Sequence, residues 1–106
     1  MPQITCPRSN KMIEVTFEKL EKYFQLTEMA RKKVTPIANN EEDNSRLEIM
    51  LKMCDDYIFD SKYFRDSGDL VSAFGAINYA HAWLDAAVKI GLLDGHGDDN
   101  LFTIPD

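Results

Sequence analysis

Across its 106 residues the chain has few of the features that usually announce a function. It has two cysteines, Cys6 and Cys54. These are too few and too far apart for a zinc motif or a disulfide framework, and neither has a visible setting that would stabilise a thiolate. No apolar run approaches the ~20 residues a membrane span needs, and MPQITCPRSNK at the start has no apolar core of the signal-peptide type. The expectation is therefore a cytosolic, cytoplasmic protein without a membrane anchor. Positive charge is also short: 12 Lys and Arg stand against 18 Asp and Glu, for a net charge of −6. An acidic chain repels phosphate backbones, which makes nucleic acid an unlikely partner. The one basic run, Arg31-Lys32-Lys33, sits where a helix C-terminus attracts cations.

What the chain does have is helical periodicity. A length of 106 residues suits one domain, expected over residues 11–106 behind a mobile N-terminal arm at 1–10. Ile13, Phe17, Leu20, Phe24, Thr27, Ala30 and Val34 recur at spacings of three and four, which predicts a first helix over about 11–35. Glu18 with Lys22 and Glu28 with Lys32 are favourable i,i+4 pairs on its outer side, and Pro36 stops it. PIANNEEDN, residues 36–44, reads as a polar, acidic connection. Ser45-Arg46-Leu47-Glu48 then reads as a capping box that starts a second helix running to about Asp66. Gly68 suits a left-handed helix end and Asp69 can cap a third helix at once, which runs to Lys89 with Gly91 just past its end.

Two long helices joined by so short a connection must form an antiparallel hairpin. The first helix covers its open groove, so the expected fold is all-α, a three-helix up-and-down antiparallel bundle. No segment alternates with period two for long enough to predict a strand. After the turn DGHGDDN, the apolar Leu101, Phe102 and Ile104 are expected to dock a C-terminal tail onto the bundle.

At 100° per residue, His81 falls in the middle of the apolar arc of the third helix, between Phe74 and Val88. On the second helix Leu47, Met50, Met53, Cys54, Tyr57, Ser61 and Phe64 share an arc, with Asp60 at its margin. Asp60, His81 and Asp85, with the phenols of Tyr57 and Tyr79, therefore form a candidate polar network. It would serve either proton transfer or metal binding, or simply fix the register of the helices. One His and scattered Asp residues lack metal-ligand spacing, so the structural reading is preferred and no metal or cofactor is expected. A structural network also predicts that His81→Leu keeps the fold and is neutral or favourable. Asp55, Asp56 and Asp60 supply too few oxygens from one helical face for a hard cation. Trp83, Tyr79 and Ile90 lie off the main arc of the third helix and are the candidate interface with a protein partner or a second copy.

The stretch Tyr57-x-x-Asp60-Ser61-x-Tyr63-Phe64, followed by Gly68-Asp69, Ala73, Tyr79-Ala80-x-x-x-Leu84-Asp85 and Gly91-Leu92, resembles the archaeal "domain of unknown function 357" family over roughly residues 10–105. The resemblance implies a small archaeal helical bundle and carries no catalytic residues with it. A looser resemblance is to nucleotidyltransferase-associated helical domains of the HEPN class. Members of that class that cleave RNA place an Arg, a polar residue and a His close together on a helix. Asn78 and His81 have that look, but Ile77 stands where the Arg belongs. The leading expectation is thus a non-enzymatic interaction or scaffold domain. The alternatives are a metal-binding or enzymatic domain built on Asp60, His81 and Asp85, or a HEPN-like domain acting with RNA or a nucleotidyltransferase.

Overall fold

The structure, a computed structural model, describes residues 14–102. Three helices dominate: α1 (Phe17–Lys33), α2 (Glu41–Asp66) and α3 (Leu70–Lys89). A two-residue strand pair, β1 (Thr35–Pro36) with β2 (Leu93–Asp94), is antiparallel with Thr35 opposite Asp94. The expected arm at 1–10, with Cys6, and the expected anchor Ile104 lie outside the described residues.

Helix α1 is shorter at its start than periodicity predicts. Glu14, Val15 and Thr16 are not helical, because the Thr16 hydroxyl accepts the amide of Lys19 at 3.1 Å and so caps the helix from Phe17. At the other end Val34 has already turned extended, with ψ 143°, two residues ahead of Pro36, whose ring disfavours helix in the residue before it.

Helix α2 begins five residues earlier than the Ser45 capping box predicts. Asn40 is the cap: its side-chain carbonyl accepts the Asp43 amide at 2.8 Å, and its own amide group donates to the Asp43 carboxylate at 3.1 Å. Glu41, Glu42 and Asp43 form the first turn, where acids meet the positive end of the helix dipole. The acidic stretch taken as a connection is therefore helix.

The hairpin turn forms as its residues dictate. Asp69 donates its amide to the Phe64 carbonyl at 2.9 Å and Gly68 to the Arg65 carbonyl at 3.1 Å, closing α2. Gly68 supplies the φ of +86° that this closure requires. The Asp69 carboxylate then accepts the Ser72 amide at 3.1 Å and opens α3 with nothing in between. The same bonding pattern ends α3, from Leu92 to Ala87 and from Gly91 to Val88.

The bundle runs up, down and up. Thr27 reaches His81, and the ring of Tyr23 meets Phe74 edge-on at 5.2 Å, so α1 lies parallel to α3. Three charge pairs, Glu21 with Arg65, Glu28 with Lys62 and Arg31 with Asp55, run antiparallel along the seam with α2. Arg65 also covers the Phe24 ring, 4.8 Å from its centroid. The core falls into two clusters. Leu20, Phe24, Ala73 and Ile77 fill the end near the hairpin turn. Ala30, Leu47, Cys54, Ala80, Leu84 and Ala87 fill the other end, closed by Leu92, Leu93, Leu101 and Phe102 from the C-terminal segment.

That segment is tied down by polar contacts. Ile37 donates its amide to the Leu92 carbonyl at 3.0 Å beside the strand pair, and Lys33 pairs with Asp98 at 3.0 Å. The Asp98 carboxylate also accepts the amides of Asn100 and Leu101, which folds the chain back so that Leu101 and Phe102 enter the core.

Candidate functional site

His81 is placed by α3 on the side that faces α1. Its Nε2 lies 2.6 Å from the Leu101 carbonyl, and its Nδ1 lies 2.9 Å from the Thr27 hydroxyl. A carbonyl only accepts, so Nε2 carries the proton and donates; in the neutral ring Nδ1 then accepts from Thr27. Both nitrogens are engaged within the chain, which leaves neither as a metal ligand or a proton acceptor for a bound molecule without breaking one of these bonds. Thr27 is almost wholly buried, and this bond satisfies its hydroxyl.

The other members of the candidate network are dispersed. Asp60 is exposed on α2, and no hydrogen bond or ion pair joins it to His81. Tyr57 and Tyr79 meet each other, edge to face with centroids 4.5 Å apart, across the hairpin. Asp85 is one turn beyond His81 on α3. The two share a cleft of about 330 Å³ between α1, α3 and the C-terminal turn, lined also by Tyr23, Asn78, Asp99 and Phe102. Asn78 donates to the Phe74 carbonyl at 2.9 Å.

The acidic face of α2 is largely neutralised within the chain. Asp55 takes both Nε and a terminal nitrogen of Arg31, at 2.8 and 3.1 Å, and Asp56 takes Lys52 at 2.9 Å. Among the described residues no group of three or more His, Cys, Asp or Glu is arranged to hold a metal ion. With Arg31 paired to Asp55 and Lys33 to Asp98, the basic run at the end of α1 also satisfies itself locally. Cys54 is completely buried, and burial, helped by Asp55, pushes its thiol up to about 12. It is a small core residue with no thiolate at physiological pH. Among the described residues no helix is long and apolar enough to cross a membrane.

The candidate interface has a clearer form. Trp83 is half-buried beside Tyr79, with centroids 6.1 Å apart, so Tyr57, Tyr79 and Trp83 make a continuous row across α2 and α3 on the side away from α1. Tyr79 is 46% exposed and Ile90 65% exposed. The Trp83 indole N–H is buried and has no hydrogen-bond partner among the described residues. Sequence reasoning missed two parts of this arrangement. The partner of His81 is a backbone carbonyl twenty residues away, which no side-chain pattern reveals. Thr27, counted as one more position on an apolar face, is the other partner; a hydroxyl at a buried helical position was the available signal.

No curated protein and no solved structure matches the chain. A family model matches residues 22–93, from the first turns of α1 through the hairpin to β2, and by this match the chain belongs to the family described as "Protein of unknown function (DUF357)".

Proposed function

We propose that this chain is a non-enzymatic interaction domain that presents the α2–α3 face around Tyr57, Tyr79, Trp83 and Ile90 to a protein partner. The observation that carries the reading is the aromatic row, in which Tyr79 is exposed and Tyr57 and Trp83 are half-buried. Aromatic side chains give up large area on contact and lose few rotatable bonds in doing so, which makes them frequent anchors of interfaces. The chemistry-bearing groups elsewhere support the same reading, because His81, Asp55, Asp56, Arg31 and Lys33 are already engaged inside the chain. A buried free thiol at Cys54 fits a reducing compartment, and a cytoplasmic location is part of the proposal.

The test compares two baits, the wild-type chain and Tyr79→Glu, each exposed to a lysate of the source organism and analysed by mass spectrometry. Both baits must first show the same melting temperature; Ile90→Glu replaces Tyr79→Glu if that variant unfolds. The expected result is a protein retained by the wild type and lost with the variant. Identical captured sets on both baits would overturn the reading.

A further inference from the structure

The outer face of α3 lacks the charge that the other two helices carry. Helix α1 exposes Lys22, Gln25 and Lys32, and α2 exposes Glu48, Lys52, Asp55, Asp56, Asp60 and Asp66. Helix α3 exposes Val71, Gly75, Tyr79, Ala82 and Ala86, continued by Ile90, with the exposed Asn78 and Lys89 along one edge, and its only charged residues are Asp85 and Lys89. A helix with a solvated outer face normally shows polar residues there. On α2, Ile49, 63% exposed, and the half-buried Met53 continue this surface, bordered by the exposed carboxylates of Asp56 and Asp60.

Resting on the interaction reading above, we infer that the partner on this face is a second copy of the chain, with the two α3 helices antiparallel across a two-fold axis beside Ala82. A two-fold contact is isologous, so the face must complement itself. The order of large and small residues along α3 meets that condition. An axis between Ala82 and Trp83 sets Tyr79 opposite the partner's Ala86 and Gly75 opposite the partner's Ile90, a large residue against a small one in each pair. No atom lies within 4 Å of a side chain added at Gly75, so the space opposite an incoming Ile90 is open.

Size favours the same occupant, and the distribution of charge permits it. Twenty residues of helix span ~30 Å. A two-helix face of that length offers ~600 Å², close to the ~800 Å² per partner of a standard interface. Each copy has a net charge of −6, so two copies repel at long range and their contact must avoid burying carboxylates. Gly75, Tyr79, Ala82 and Ala86, the α3 centre of this face, carry none.

Sedimentation velocity of the full chain across a wide concentration range reads the result. The wild type is expected at about twice the 12.1 kDa chain mass. Ala86→Glu should sediment as a monomer with an unchanged helical circular dichroism spectrum. Phe59→Glu, at a 72% exposed position on the opposite side of α2, should remain a dimer. Ala82→Cys in a Cys6→Ser background should cross-link on oxidation, since the axis passes beside it. A wild type that stays monomeric, or a dimer that Ala86→Glu leaves intact, would overturn the inference. The lysate comparison then separates the two readings. A monomer that still loses a captured protein with Tyr79→Glu removes only self-association; a monomer that loses none removes both.

Discussion

The Nε2–H of His81 donates to the carbonyl of Leu101 across 2.6 Å, and through this bond the middle of α3 holds the end of the described chain against the bundle. The same ring reaches Thr27 on α1, so one side chain joins three segments.

This relationship changes what His81→Leu should do. Replacing a buried polar pair by apolar groups is often neutral, but here the carbonyl of Leu101 is backbone and stays after the substitution, as does the Thr27 hydroxyl. Leaving buried groups unpaired costs ~1–3 kcal/mol. Urea unfolding should show His81→Leu destabilised by that amount, and Thr27→Val added to it should cost less than it does in the wild type. Nitrogen-15 shifts of the His81 ring should show the proton on Nε2. A neutral or stabilising His81→Leu would contradict the assigned bonds.

Cys54 should be chemically silent. With Cys6 changed to Ser, an aromatic disulfide reagent should modify the thiol only as fast as the chain opens, and urea should accelerate the reaction. The sign of the pH effect follows from the direction of the shift. The folded thiol, raised to about 12, holds its proton longer than the unfolded thiol at 9.0. The stability it contributes is whole below about pH 9 and is lost as pH rises toward 12. Cys54→Ala should lose part of this alkaline decline in melting temperature.

At acid pH the C-terminal turn should weaken first. The Lys33 ammonium, then the amides of Asn100 and Leu101, hold the Asp98 carboxyl below its usual 3.8, and the Ser72 hydroxyl and amide lower Asp69. A lowered folded value means stability that is present above 3.8 and lost as pH falls through the folded value. Asp98→Asn should flatten this acid limb in melting curves and loosen Leu101 and Phe102 at neutral pH, seen as faster amide exchange. An unchanged acid limb would remove Asp98 from the account.

Gly95 should tolerate no side chain. A Cβ there would stand 2.9 Å from Cδ2 of Phe102, inside contact distance, and the Phe102 ring is buried with little room to retreat. Gly95→Ala should cost ~1–3 kcal/mol in unfolding free energy. Phe102→Leu should be less harmful in the Gly95→Ala background than alone, because it vacates the clash; equal costs in both backgrounds would count against this packing.

Much of the bundle was legible in order of residues. The apolar spacings named α1 and α3, and Gly68 with Asp69 marked a turn whose bonds all lie within six residues. The boundaries that failed did so where two local signals competed. Ser45 with Glu48 and Asn40 with Asp43 are both plausible starts, and only acids at a helix N-terminus favour the earlier one. The strand pair of Thr35–Pro36 with Leu93–Asp94 left no trace because two residues cannot show a period.

Sequence by itself determined three amphipathic helices, a tight hairpin and an acidic chain. These are properties of neighbours within a few turns, where spacing fixes which residues share a face. Tertiary structure alone decided that His81 answers to Thr27 and Leu101 while Asp60 stands apart, and that Asp55 on α2 is matched by Arg31 of α1. It also decided that the uncharged face of α3 stays uncovered by α1. Those outcomes depend on the rotation of each helix about its axis and on which groups a distant segment places beside it, and packing sets both.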